Sequence, residues 1–434
     1  MKTKKIILAV LAIIAVGGLV SFLIFQHIIG RTTRPDVVSE VRNFVPNSPV
    51  GEENSQWRGP TRSGYFYDET GLLTQWPAGG PQLLWYRDNL GDGYSSPAVA
   101  NGRVYVTGLH ANDLVLSVFD VNGELLVRRI IGSEWTGSYP GTRSTVTVNS
   151  GKLYIFSATG QLIALCEKTL EQVWMRDVLR EFDGRNIRWG LTESPLIVGE
   201  KVFVAPGGRR NNVIALNKNT GELVWSSPAL GEPTSYGSPL FIEGYAVPLI
   251  VTNSERHIIG LNANTGELLW SHPQTNSHNI HPNTPLYSNG MIFSTTGYGG
   301  GSVMLRLTNN GRGVEYVWSN NVDNQMGGAV KLNNTIFTSG HRSRGFFAMD
   351  WNTGEIRYSV RQISPSVTIA ADGMLFVYSD RGEVTLVRPN PNQFEMVSSF
   401  NITHGTNQHW AHPVIHNGVL YIRRGDAIMA YQIR

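Results

Sequence analysis

The chain has 434 residues, 41% of them hydrophobic, ample for a sizeable core, and a net charge of +3. So small a positive excess leaves no nucleic-acid or membrane-surface footprint, and a single cysteine, Cys166, excludes an intramolecular disulfide. Glycine, at 47 residues, exceeds the usual ~7%, as a turn-rich all-β chain requires.

Lys2, Lys4 and Lys5 precede an almost wholly apolar run from Ile6 to Phe25, continued by Ile28 and Ile29. A helix of that length, at ~1.5 Å per residue, spans a bilayer, and no small-residue cleavage site follows it. Residues 1–30 are therefore expected to be an anchor to the inner membrane. The lysines on its short side give a cytoplasmic N-terminus and a periplasmic body. A signal peptide removed despite its length is the alternative, and it leaves the body on the same side. Residues 31–55 turn polar, with Pro35, Pro46 and Pro49, and read as a linker. Residues 56–434 form the globular part. It begins with two turn-rich, aromatic stretches read as ordered, QWRGPTRSGYF (Gln56–Phe66) and WPAGGPQLLWYRD (Trp76–Asp88).

Beyond Asp88 the chain repeats. NTGELVW at Asn219–Trp225 and NTGELLW at Asn264–Trp270 are near copies, with weaker versions at Asn122–Arg128, Thr169–Met175 and Asn352–Tyr358. Asn-Thr-Gly is a tight-turn sequence, because Asn and Gly tolerate the positive φ that a two-residue hairpin demands. A second turn recurs at Gly102, Gly151, Gly199, Gly244, Gly290, Asn334, Gly373 and Gly418, positions 39 to 49 residues apart by subtraction. The strand before it often opens on Ser-Pro or Thr-Pro, as at Ser96-Pro97, Ser194-Pro195, Ser238-Pro239 and Thr284-Pro285. Proline is tolerated there because a strand's first residue needs no ladder donor. Short β-branched and aromatic strands at this period predict a β-propeller. Eight units make eight four-stranded antiparallel blades, with seven the fallback.

The eighth unit stops at Arg434 without a fourth strand. The missing piece is predicted at Leu83–Arg87, LLWYR, which carries Trp85 where Trp225 and Trp270 stand in their units. It closes the ring and removes exposed sheet edges. Trp85, Trp174, Trp225, Trp270 and Trp318, with Tyr358 in one copy, are read as structural aromatics packing blade on blade. Cys166 is read as a buried or half-buried structural thiol.

The Asn-Thr-Gly-Glu-x-x-Trp ending resembles the pyrroloquinoline-quinone (PQQ)-like propeller repeat family over essentially Gln56 to Arg434. QWRGPTRSG, GYSSPAVANGRVYV (Gly93–Val106), WGLTESPLIV (Trp189–Val198) and QHWAHPVIHNGVLYIR (Gln408–Arg423) are similar to its extracytoplasmic branch. That family includes quinoprotein alcohol dehydrogenases and BamB-like proteins, and its repeat records blade packing rather than chemistry. The resemblance to the dehydrogenases implies PQQ over the channel, held with calcium by a Glu, an Asn and a catalytic Asp. Glu193, Asn283 and Asp323 are the candidate calcium ligands, with Arg143 or Arg188 for the cofactor carboxylates. Against this, adjacent cysteines are absent, no C-x-x-C-H haem motif exists, and Asn253 stands where the catalytic Asp belongs. Asp380-Arg381-Gly382 matches the aspartate pattern better but falls in the seventh unit.

The blade-to-blade loops and middle hairpins, expected around one channel mouth, are rich in basic, His and aromatic residues. Tyr94, Arg143, Arg188, Trp189, Glu193 and Tyr236 come from the first half. His278, His281, Asn283, His341, Arg342, His409 and Trp410 come from the second, with Arg209, Arg210, Asp323, Arg423 and Arg424 also in these loops. Cations over a low-dielectric channel concentrate an anionic ligand or an acidic peptide. The His-x-x-His pairs at His278/His281 and His409/His412 lie in loops without Cys or carboxylate partners and are read as polar loop residues. GYGGG, Gly297–Gly301, lacks the Lys-Ser/Thr of a phosphate loop. The expected function is a membrane-tethered, monomeric, non-catalytic module that binds an unknown protein or a small anionic ligand at this face. It has no catalytic residues, metal, cofactor or nucleic-acid partner. The alternative is a PQQ- and calcium-dependent dehydrogenase of alcohols or sugars.

Overall fold

The computed structural model describes residues 53–363 and 365–434. The apolar run and most of the linker therefore lie outside the described residues, and no described helix is long and apolar enough to cross a membrane. Glu53–Ser55, expected to end the linker, instead pack on the propeller. Ser55 bridges Val148, and the Glu53 carboxylate accepts the Asn101 N–H at 2.7 Å.

Among the described residues eight sheets account for nearly all of the regular structure, and the α-helix is a single turn, Val178–Glu181. The first blade is Ala98–Ala100, Arg103–His110, Asp113–Asp120 and Leu125–Ser133, in order from inside to outside. The next six repeat that order. The eighth takes three strands from the C-terminus, Val414–His416, Val419–Arg424 and Ala427–Gln432, and its outer strand from Gln82–Arg87. Trp85 pairs with Ala430 across an antiparallel ladder, so the expected closure is the observed one. The inner hairpins turn where expected. Asn101-Gly102, Ser150-Gly151, Asn289-Gly290 and Asn417-Gly418 all have φ between 49° and 79° at both residues, the double positive φ of a type I′ turn.

The strands are not simply alternating. Met374–Ser379 and Gly345–Asp350 are buried at every residue, because each blade is covered on both faces by its neighbours. The outermost strands are mostly half-buried or exposed, and in Gln82–Arg87 Trp85 alone is buried. Apolar clusters fill each joint between adjacent blades. The joint of the first and last blades is filled by Trp85, Val104, Phe119, Tyr421 and Ile428.

The Asn-Thr-Gly loops differ from the expected two-residue turns. Asn217 accepts the N–H groups of Asn219 and Thr220 through its side chain, and Gly221 N–H returns to the Asn217 carbonyl at 2.8 Å. Only the glycine has positive φ, 74°. This wider loop makes a seat for the tryptophan of the preceding blade. A Cβ on Gly221 would lie 2.8 Å from Trp174, on Gly266 2.6 Å from Trp225, and on Gly354 2.5 Å from Trp318. The same indoles donate to backbone oxygens beside those loops, Trp174 to Lys218, Trp225 to Ala263, Trp318 to Trp351, and Trp85 to Val121 across the closure. The Gly and Trp of the motif are thus the two halves of one joint between successive blades. The next blade has no Asn-Thr-Gly loop for Trp270, its outer hairpin turning instead through Asn309–Gly311, and the Trp270 indole N–H lacks such a partner. Gly221→Ala is expected to cost roughly 1–3 kcal/mol in a urea denaturation curve, from the positive φ and the displaced indole together. An unchanged midpoint would mean the seat is not tight.

What fills the channel is not apparent from the repeats. Residues 55–66 enter from the turn face, fold back, and leave beside the seventh blade, where Tyr65–Phe66 adds a parallel strand to its inner edge, pairing with Ala370 and Ala371. Arg58 and Arg62, read only as turn residues, are 3% and 2% exposed. Arg62 donates to the carbonyls of Ser194, Pro195 and Pro239, and Arg58 to those of Gly327 and Ala329. Burial lowers both guanidinium pKa values, but an arginine starts so high that both keep their charge near neutral pH.

Candidate functional site: an aromatic cavity over a plugged channel

The tip of this N-terminal hairpin is the floor of a cavity of about 310 Å³ at the opposite, loop-bearing mouth. Trp57 supplies the floor. Its indole donates to Thr284 Oγ1 at 3.0 Å, and its ring lies 4.3 Å from His412. Around it the wall is built by one rule. Tyr94, Arg143, Thr192, Tyr236, Pro282, Met326 and Trp410 all line the cavity. Each stands four residues before its blade's inner strand (94 against 98, 236 against 240, 410 against 414). The chain there approaches the channel axis before turning down into the strand, so that position points at the mouth in every blade that follows the rule.

Aromatic rings dominate the lining. Trp410 lies 5.0 Å from Tyr94 and 5.1 Å from Tyr139, and Trp189 lies 6.1 Å from Tyr236. Tyr298, from a middle hairpin, completes the circle. Three arginines back three of these rings. Arg143 lies 5.9 Å over Tyr94, Arg188 4.8 Å over Trp189, and Arg342 5.8 Å over Tyr298, within cation–π range. Arg143 is held by the carbonyls of Gly141, Ser138 and Tyr139. No aspartate or glutamate is among the lining residues. Burial pushes the Tyr236 phenol up to about 12 and raises those of Tyr94 and Tyr298, so all three stay protonated as donors at neutral pH. The wall is apolar, rich in donors and positively charged at its rim.

Of the residues singled out from sequence, Tyr94, Arg143, Trp189, Tyr236 and Trp410 line this cavity. Arg188, His278, His341 and Arg342 stand just behind it, His278 stacked 4.3 Å from Tyr298 and His341 edge-on at 4.9 Å. Glu193, His281, Asn283 and His409 do not reach the face, because each has turned inward to a partner in the wall. Glu193 accepts the Ala205 N–H, and His281 Nε2 meets the Glu255 carbonyl. Asn283 donates to Thr295 and Asn324, and His409 meets the Tyr378 hydroxyl. Arg423 is also misplaced by sequence. It is wholly buried, donating to Gly425, Thr107 and Gly91 in the joint of the last and first blades. The lining residues missed from sequence include Trp57, Tyr139, Thr192, Pro282, Tyr298, Gln325 and Met326. The offset of four from each inner strand was the available signal for Thr192, Pro282 and Met326, and for the first two that position is also two before the Ser-Pro or Thr-Pro.

Two of the three proposed calcium ligands, Glu193 and Asp323, are engaged elsewhere. Asp323 is committed to the N–H groups of Gly299, His341, Arg342 and Ser343, which hold its pKa below the usual carboxylate range against its burial. Burial pushes Glu193 up to about 8, with Arg62 of the plug pulling it back. Asn283 spends its amide N–H groups on backbone carbonyls, and its Oδ1 is the one oxygen of the set left buried without a partner. Among the described residues no three His, Cys, Asp or Glu side chains are placed to share an ion. Asn253 is buried and donates to Ser294. These residues do not fit a calcium–quinone centre.

A family model described as outer membrane protein assembly factor BamB matches residues 122–235 and 183–393. A quinoprotein ethanol dehydrogenase of Pseudomonas aeruginosa is 30% identical over 106 residues, 24% of this chain and 17% of that protein. The match therefore spans less than a fifth of that relative's length. Among solved structures, BamB from Moraxella catarrhalis superposes with a TM-score of 0.60 at 16% identity, covering 81% of this chain and 100% of that one. A quinohemoprotein alcohol dehydrogenase from Pseudomonas putida gives 0.60 at 14% identity, covering 87% and 80%. At these identities the structural likeness speaks to the fold alone.

Proposed function

The chain belongs to the PQQ-like propeller-repeat family whose model is described as outer membrane protein assembly factor BamB, and from that premise we propose that it is a non-catalytic binding module. Its site is the cavity at the loop-bearing mouth. What carries the reading is one conjunction, a cavity of about 310 Å³ walled by aromatic rings with arginines behind three of them and no carboxylate in its lining. Such a wall favours a flat or apolar group that carries negative charge, whether a small molecule or one side chain of an acidic protein partner. In this reading the apolar run of residues 1–30 tethers the propeller to the membrane, and the partner is met on the extracytoplasmic side.

The test uses a probe of matching chemistry. Anilinonaphthalene sulfonate, an aromatic anion, is expected to bind with one site and a Kd on the order of 10 µM, about −7 kcal/mol. Uncharged phenylnaphthylamine should bind at least ~10-fold more weakly, about 1.4 kcal/mol. Equal affinity for the two would remove the arginines from the account, and many weak sites would remove the cavity.

The identity shared with a quinoprotein ethanol dehydrogenase motivates a second reading, dye-linked oxidation of alcohols after loading with the quinone and calcium. The engagement of Glu193 and Asp323 with backbone N–H groups weighs against it. Turnover in such an assay would overturn the first reading.

A further inference from the structure

We infer that the axial channel is a binding site for an arginine-bearing peptide hairpin, filled in this chain by its own residues 55–66. The channel is walled by the inner strands of the blades, which are edge strands. At their heads, Ser194, Pro195, Pro239, Gly327 and Ala329 turn carbonyls inward that no ladder partner uses. A tube offering carbonyl acceptors selects a ligand that only donates, and the guanidinium, with five N–H groups and no acceptor, is the side chain that meets that demand.

The occupant is built like a ligand. Its own backbone bonds close it into a compact tip, Arg62 N–H to Gly59 and Gly64 N–H to Arg58 at 3.1 and 2.9 Å. The Gln56 side chain joins Pro60 and Arg62, donating to one and accepting from the other. With its internal groups paired, it meets the channel largely through the two outward guanidinium groups, the Trp57 indole and a short parallel strand at Tyr65–Phe66. Such strand addition at a free sheet edge is a recurrent mode of peptide capture. On the turn face the hairpin is clipped at both ends. Ser55 bridges Val148, and the Glu69 carboxylate accepts the N–H groups of Asn417 and Gly418. Because its tip carries Trp57, whatever occupies the channel also sets the depth of the mouth cavity.

The experiment keeps the whole chain. A site for a sequence-specific protease is inserted between Thr70 and Gly71, both exposed, and the purified protein is cut. The cut protein is then challenged with a fluorescent synthetic peptide of residues 53–70, and with the same peptide carrying Arg58→Ala and Arg62→Ala. Native mass spectrometry should show the N-terminal piece still bound after cleavage. The wild-type peptide should exchange into its place, and the double-alanine peptide should do so at least ~100-fold more weakly. Release of the piece on cutting, absence of exchange, or equal entry of both peptides would overturn the inference. Loss of the cooperative unfolding transition on cutting would overturn it too, since the hairpin would then be part of the folding core and not a ligand.

Discussion

Arg58→Met together with Arg62→Met is expected to lower the unfolding free energy by roughly 3–6 kcal/mol in chemical denaturation, an unusually large loss for two residues outside the blades. The two side chains reach across the channel to Ser194, Pro195 and Pro239 on one side and Gly327 and Ala329 on the other. Methionine fills much of the volume but leaves buried carbonyls without donors, at ~1–3 kcal/mol each. Sparing two cations the cost of desolvation returns part of that. Arg62→Lys should recover little, because an ammonium keeps the charge and loses the planar fork that reaches several acceptors at once. A loss under ~1 kcal/mol for the double variant would mean the blades hold the channel closed unaided.

Trp189→Ala with Trp410→Ala is expected to weaken the sulfonate probe by at least ~100-fold, about 2.7 kcal/mol, while costing little stability. Both rings are only half-buried, unlike Trp174 or Trp225 in the joints. What they lose on truncation is therefore ligand contact rather than blade packing. A stability loss as large as the affinity loss would class them with the joint tryptophans and not with a site.

The ring itself was legible because propeller packing repeats. Every blade must turn, pair and cover its neighbour, so the glycine turns and the tryptophans recur at a readable period. The closing strand at Leu83–Arg87 could be found by its Trp85 alone. The plug was not legible, because it occurs once and its chemistry is inverted. Arg58 and Arg62 look like solvated turn residues, and only the ring of inner-strand carbonyls makes burying them favourable. The same holds at the mouth. Tyr94, Tyr236 and Trp410 follow the spacing of the inner strands, whereas Tyr139 and Tyr298 sit in irregular loops with no period to betray them. Glu193, His281, Asn283 and His409 misled for the opposite reason. They are polar residues in loops, the usual mark of a surface, yet each is buried with a hydrogen-bond partner inside the wall.

Whether the mouth cavity is where this protein binds is tested most directly by photoaffinity labelling with an azido derivative of the aromatic sulfonate, mapped by peptide mass spectrometry. One adduct per chain is expected, on peptides carrying Tyr139, Arg143, Trp189, Tyr236 or Trp410, suppressed by excess unmodified probe. Saturable adducts confined to the outer strands or to the turn face around Asn219 and Asn264 would contradict it.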